Sequence, residues 1–453
     1  MADRPNILFI MTDNQGAWSL GCYGNPDIRT PNIDRLASSG ARFDQAYCVN
    51  SVCSPSRATY MTGLIPSQHG VHCYLGGEKP DAQMGPDAYC TIEEFTTLPK
   101  VLHDSGYHCG LSGKWHLGDS LNPQLGFDYW YTKPRGHTSE FFDTEMIWER
   151  EVFREGEYVT DAITRHAVDF LRNHRRPEDP FFLYVAYNGP YGLGESMTHP
   201  HGNRHDAYYA DRELTSFPIE DVHPWLHHNR QIVHNPVSIR GYASSVSGVD
   251  DGVGTLVETL DELGLREDTI VIYTSDQGLC GGHHGMWGMG DHSRPIHTYE
   301  ETIHIPMIVS YPGEVPAETI VAERTCNYDF FPSMLDLLGL DVDLPDSPGR
   351  SYSPALTGSE LVDWDGTIFH EFENVRMVRT DRWKYSWRNP DGPDELYDMV
   401  DDPGERNNLA GDAKVAEVED EMRGQITAFF DRYADPEFDL WREGRSKAGR
   451  IIA

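Results

Sequence analysis

Two short apolar runs constrain the fold most. NILFIMTD begins at Asn6 and TIVIYTSD at Thr269, and each runs straight into an acid, Asp13 or Asp276. A run this short, with no polar face, reads as a strand of a parallel sheet buried on both sides. PFFLYVAYNGP and IPMIVSYPG repeat the pattern, and Tyr107 to Leu111 is a shorter strand leading into SGKWHLG. Helical segments lie between them. Thr30 and Pro31 offer an N-cap and a first-turn proline, and Gly40 ends that helix. Leu98 to Asp104, Thr160 to His174 and Val249 to Leu263 also read as helices, the second with Ile163, Ala167, Phe170 and Leu171 on one side. Strands alternating with helices predict an α/β fold, a mostly parallel central sheet sandwiched by helices. Such sheets bind ligands beyond the C-terminal ends of their strands. Asp13 and Asp276 both fall there, so the fold can bring them together; two unrelated turn aspartates are the structural alternative.

The pattern changes near Asp363. TIFHEF, VRMVRTD and RWKYSWR are short strands with polar turns, and a last helix is expected near Val415 to Tyr433. Residues 1–362 are therefore expected to form the catalytic domain, and residues 363–453 a small antiparallel α+β domain. The stretch from Gly194 to Asn235 is rich in His, Asp and Pro with little periodicity, and long loops of that kind often carry function. It is a candidate pocket rim. Trp225, Tyr208, Tyr209, Trp130 and Tyr131 are candidates for stacking on a sugar, or simply for the core.

The formal net charge of −35 comes from 72 acidic and 37 basic residues, of which seven are lysines. A chain so acidic is a poor partner for nucleic acid or anionic membranes. Low lysine beside abundant Asp, Glu and Arg fits either adaptation to salt or a GC-rich genome. No run approaches the roughly 20 apolar residues of a membrane span, and MADRPNILFIMTDNQG does not read as a signal peptide. The expectation is a cytoplasmic protein, or a periplasmic or secreted one whose leader has been removed. The eight cysteines include no CxxC pair, which argues against a zinc knuckle. A disulfide among the four between Cys48 and Cys90 is open, with scattered reduced thiols the expectation.

Cys53 does not suit either structural use of a cysteine. Its neighbours are polar, and Arg57 follows four residues later at the start of a short helical segment, Cys53-Ser-Pro-Ser-Arg-Ala-Thr-Tyr-Met-Thr-Gly63. This segment resembles the signature of the type I, formylglycine-dependent sulfatases of the alkaline-phosphatase-like superfamily. PNILFIMTDN, CSPSR, GKWHLG, TSDQG, YEETIHIPMIV and ELYDMVDDPGERNNLA occur in that family's order along the whole chain. The resemblance implies that Cys53 is converted to formylglycine by a formylglycine-generating enzyme. It implies that Arg57, Lys114 and His116 work beside the nucleophile, and that Asp13, Asn14, Asp276 and Gln277 hold Ca²⁺ or Mg²⁺. Four oxygen donors suit such a hard cation.

Two positions depart from the family pattern. Tyr191 stands where a histidine that contacts the ester oxygen is expected, and Met289 stands where a sulfate-binding lysine is expected. His292 or Arg294, in a short insertion after Met289, could replace the missing cation or only shape the loop. His284 could act as a general acid or brace its turn. The implied activity is hydrolysis of a small-molecule or oligosaccharide sulfate ester, carbohydrate or aryl. A phosphonate monoester or phosphodiester hydrolase on the same scaffold, and an inactive sulfatase-derived binding protein, are the alternatives.

Overall fold

The computed structural model describes residues 4–76, 81–137, 140–200 and 202–452. Residue 201, in the long loop singled out above, and residues 138 and 139 lie outside the described residues. The large sheet has ten strands. In chain order they are β1 (Asn6–Asp13), β2 (Ala41–Phe43), β3 (His108–Gly113), β4 (Phe127–Thr132) and β5 (Thr144–Trp148). They continue as β6 (Glu151–Glu155), β7 (Phe181–Pro190), β8 (Thr269–Ser275), β9 (Met307–Ser310) and β10 (Thr319–Val321). The spatial order is β10-β2-β9-β8-β1-β7-β3-β4-β5-β6.

The five central strands, β8-β1-β7-β3-β4, are parallel as the apolar runs predict. IPMIVSYPG is a strand, but it pairs antiparallel with β8. Strand direction is set by the connection, not by the apolar run itself. Where β3 ends, Gly113 has φ +119°, and a Cβ there would meet the Ala186 carbonyl oxygen of β7 at 1.9 Å. Only glycine lets the two strands stay this close while the chain turns toward Lys114.

Helices cover both faces. Alternate residues of β1 point to opposite sides. Leu8 and Ile10 pack with Ile33 and Leu36 of α1 (Pro31–Ser38). The same core takes Ile163 from α4 (Val159–Asp169) and Val246, Val249 and Val253 from α5 (Pro236–Glu262). Ile7, Phe9 and Met11 pack with Tyr60 and Met61 of α2 (Cys53–Thr62) and Leu98 and Leu102 of α3 (Leu98–Asp104).

Two details differ from the sequence expectation. Helix α5 starts well before Val249, because Asn235 caps it by accepting from Val237 N–H and Pro236 fills its first position; serines and glycines hide the periodicity of that first half. Thr30 makes no side-chain cap to α1. Instead the Asp250 carboxylate of α5 accepts from the N–H groups of Asn32 and Ile33, at 3.0 and 2.8 Å. Trp130, Tyr131 and Tyr209 are buried core residues, Tyr131 stacked on His166 at 3.6 Å.

Strands β11 (Ile368–Phe372), β12 (Val375–Arg379), β13 (Trp383–Arg388) and β14 (Glu395–Asp398) form an antiparallel sheet, followed by α6 (Ala416–Tyr433). Its apolar residues, among them Met377, Met422 and Phe430, join the same core as Phe9 and Tyr60. It also reaches the loop before α2: the Glu371 carbonyl accepts from Asn50 Nδ2 at 2.8 Å, and Glu371 Oε1 from Ser67 N–H at 2.6 Å. All eight cysteines are free thiols. Among the described residues, no helix is long and apolar enough to cross a membrane.

Candidate active site

Strands β1 and β8 lie side by side and deliver Asp13 and Asp276 to one point. The backbone locks the two turns together: Asp276 N–H donates to the Thr12 carbonyl at 3.1 Å, and Asn14 N–H donates to Asp276 Oδ1 at 3.2 Å. Cys53, the first residue of α2, sits against them. Its Sγ lies 3.5 Å from Asp13 Oδ1 and 3.4 Å from Gln277 Nε2. Asp13, Cys53 and Asp276 each present one ligand atom within 4.8 Å of the others. The start of α2 adds unbonded N–H groups and a positive end dipole, a setting that favours anions.

Two cations balance the two carboxylates. Arg57, one turn along α2 and fully buried, donates from Nε and Nη2 to Asp276 Oδ2 at 2.9 and 2.7 Å. Its Nη1 donates to the Lys114 carbonyl at 2.8 Å and the Tyr184 hydroxyl at 3.2 Å. The buried Lys114 ammonium lies 2.6 Å from Asp13 Oδ2. Burial pulls the Lys114 pKa down, but Asp13 and Cys53 pull it up further, so the net shift is upward and it stays charged. Burial, and then Asp13, push the Cys53 thiol up to about 12. An unmodified Cys53 is therefore a protonated thiol at neutral pH, a weak nucleophile.

His116 presents a different chemistry. Its Nε2–H donates to the Leu75 carbonyl at 2.9 Å, which leaves Nδ1 bare, buried and without a hydrogen-bond partner. Burial first, then Lys114, hold this imidazole well below its ordinary pKa. Gly136 makes room for it, since a Cβ at 136 would lie 2.1 Å from the ring.

The donor set fits a hard divalent cation. Gln277 Oε1 is buried and without a hydrogen-bond partner, while the Nε2 of the same amide donates to Asn14 Oδ1. An orphaned acceptor of that kind is costly unless something satisfies it. Asp13, Asn14, Asp276 and Gln277 supply only oxygen donors, the set that Ca²⁺ and Mg²⁺ prefer.

The two departures from the family pattern are both at the site. Met289 Sδ lies 3.2 Å from Gln277 Nε2. Tyr191 follows β7, its carbonyl accepts from Asn14 Nδ2 at 2.8 Å, and its hydroxyl lies 2.6 Å from His137 Nδ1. The insertion residues turn elsewhere. Arg294 donates to the carbonyls of Asp291 and Ser293, and His292 lies against Asp291 at 2.9 Å. His284 joins a separate group with Glu301 and Glu405, its ring stacked on Tyr299 at 3.8 Å. His284 and Glu405 line a cavity of about 410 Å³ together with Trp225 and Glu220, both from the long loop after Gly194.

Sequence reading missed His137, Gly136 and Tyr184. His137 had a usable signal, because it follows β4 of the parallel sheet at the strand end where sites form. Tyr184 had none, lying within an apolar run.

The comparisons agree with this geometry. The sulfatase family model matches residues 5–340, and the model of the N-sulphoglucosamine sulphohydrolase C-terminal region matches residues 285–431. An N-acetylglucosamine-6-O-sulfatase from Bacteroides thetaiotaomicron is 28% identical, covering 96% of this chain and 88% of its own. The N-acetylgalactosamine-6-sulfatase of Canis lupus familiaris is 30% identical over 85% of this chain and 72% of its own. The structure of BT4656 in complex with its substrate D-glucosamine-2-N,6-O-disulfate superposes with a TM-score of 0.74 at 26% identity, covering 95% of this chain and 98% of that one. The chain belongs to the sulfatase family, the sulfuric ester hydrolases with an alkaline-phosphatase-like α/β fold.

Proposed function

We propose that this sulfatase hydrolyses carbohydrate sulfate esters through a formylglycine derived from Cys53, with a divalent cation beside it. One observation carries the reading: a cysteine at a helix N-terminus touches the strand-end acid Asp13, has Asp276 within 4.8 Å, and lies beside the two buried cations paired with them, Lys114 and Arg57. The carbohydrate preference is drawn from the relatives, which are named for amino-sugar sulfates or bind one.

Converted to formylglycine and hydrated, residue 53 would offer two hydroxyls, one to attack sulfur and one to release sulfate once ionised. Ca²⁺ or Mg²⁺ held by Asp13, Asn14, Asp276 and Gln277 would polarise a sulfate oxygen. Lys114 and the α2 N-terminus bind the remaining charge of the sulfate group. Arg57 holds Asp276 in place through its paired hydrogen bonds, which suit a planar guanidinium. His116 Nδ1, bare and aimed away from its Leu75 contact, takes the proton whose loss releases sulfate.

A substrate panel with and without Cys53→Ala tests this. Sulfate release is expected from sulfated amino sugars, with none in the variant. Faster turnover of phosphonate monoesters or phosphodiesters than of any sulfate ester would replace the reading with the diester-hydrolase alternative. No turnover of any ester would favour the binding protein.

A further inference from the structure

Hydrolysis of a sugar sulfate needs an acid as well as a nucleophile, because an alkoxide is a poor leaving group. The cluster around Cys53 offers few. Asp13 and Asp276 are paired with Lys114 and Arg57, and Arg57 does not release a proton at any working pH. Lys114 holds its proton against Asp13. His116 spends its N–H on Leu75 and presents a bare nitrogen, which makes it a base. Asn14, Gln277 and Met289 are not acids.

Tyr191 remains. Its backbone is tied to the cation-site residues: its N–H donates to the Asp13 carbonyl at 3.0 Å and its carbonyl accepts from Asn14 Nδ2. It holds a left-handed φ of 57°, a conformation that costs a bulky residue roughly 1–3 kcal/mol and persists only where its surroundings enforce it. The ring is buried, with the Lys114 ammonium 5.8 Å from its centroid, so the phenol lies next to the sulfate-binding charge. Its hydroxyl meets His137 Nδ1 at 2.6 Å. His137 is exposed and lines a small cavity with Lys133 and Arg135, so this imidazole touches both the buried phenol and solvent.

We propose that Tyr191 is the acid that protonates the leaving oxygen, and that His137 positions Tyr191 and restores its proton. The proposal rests on the sulfatase reading above. As the bond between sulfur and the ester oxygen breaks, its electron pair stays on that oxygen, which takes the Tyr191 hydroxyl proton. The phenolate takes a proton from His137 Nδ1 as the other ring nitrogen takes one from solvent, so the imidazole stays neutral throughout. Acid and base thus come from different segments, Tyr191 after β7 and His116 after β3.

Paired substrates test it. A nitrophenyl sulfate leaves as a stable phenolate and needs no acid, whereas a sugar sulfate needs one. Tyr191→Phe is expected to lower kcat on the sugar sulfate by roughly 10²-fold or more and on the nitrophenyl ester by less than about threefold. His137→Ala, at an exposed position, is expected to lose activity in the same substrate-dependent way but less steeply. Equal losses on both esters would show a structural or sulfate-binding role and overturn the proposal, as would no loss on either. Wild-type enzyme inert to both would overturn the sulfatase reading itself, and this proposal with it.

Discussion

Two buried clusters in this molecule look alike and are built for different ends. Each has a lysine about 1% exposed in contact with carboxylates, a histidine nearby, and three side chains whose ligand atoms converge. In the Cys53 cluster, Lys114 pairs with Asp13 at the C-terminal edge of the parallel sheet. In the second, Lys384 of β13 lies 3.0 Å from Glu300 and 2.6 Å from Glu405, with Arg379 also facing Glu300 at 3.7 Å. The second cluster joins the antiparallel sheet to the segment that precedes β9. Glu300 N–H donates to Glu405 Oε2 at 2.8 Å, and Tyr47 donates to Glu300 Oε2 at 2.7 Å, so the acids are satisfied by protein on several sides. Both keep buried atoms without a hydrogen-bond partner, Gln277 Oε1 and His116 Nδ1 in the first and Glu301 Oε2 and His284 Nε2 in the second. What separates the two is place: the first lies beyond the C-terminal ends of the parallel strands, where such sheets bind ligands, and the second lies between the antiparallel sheet and the segment before β9.

The two lysines can be made to exchange consequences. Lys384→Met leaves Glu405 and Glu300 buried without their ammonium, and breaking a buried pair this way costs about 3–5 kcal/mol. Chemical denaturation is expected to show that loss, while kcat of the folded fraction stays within about threefold. Lys114→Met is expected to do the reverse. With Ca²⁺ in excess the cation can satisfy Asp13, so stability changes little, but kcat falls roughly 10²–10³-fold with one transition-state donor gone. If both variants lost stability and neither lost kcat selectively, the contrast would fail.

Cation binding separates the clusters next. Ca²⁺ at about 100 times its Kd is expected to stabilise the wild type by roughly 2.7 kcal/mol, the linkage value for one site. Asp13→Asn should abolish that increment and Glu405→Gln should leave it. The opposite result would move the metal to the His284, Glu301 and Glu405 group.

At neutral pH the least visible expected effect is a pH slope in the second region. His370 of β11 is fully buried with neither ring nitrogen hydrogen-bonded. Burial, and then Lys384, pull its pKa down to about 3 from the ordinary 6.5. Between those values only the unfolded chain takes up this proton, so stability is lost as pH falls from about 6.5 toward 3. The slope is up to ~1.4 kcal/mol per pH unit. His370→Phe is expected to flatten that loss in melting curves without changing activity at pH 7.

How much of this was legible beforehand follows from how local each determinant is. An apolar run that stops at an acid is a local pattern, and it located β1, β8 and both aspartates. CSPSR and GKWHLG are local too, and Cys53, Arg57, Lys114 and His116 converge as expected. Long-range partners leave no such trace. Asp250 caps a helix 218 residues away, and β9 hides its direction. His137 meets Tyr191 only because β4 and β7 flank β3 in the sheet. Arg294 and His292 left two readings open, a replacement cation or a loop brace. Their residue types suited a replacement cation, yet their own loop takes up their side chains.

The chemical state of residue 53 decides whether this site works as proposed. Mass spectrometry of the peptide spanning Asn50 to Gly70, from protein made with its maturation enzyme and active on a sulfate ester, measures it directly. The predicted result is a mass about 18 Da below the cysteine form, with turnover proportional to the converted fraction. An unmodified thiol in a preparation that turns over sulfate ester at full rate would contradict it.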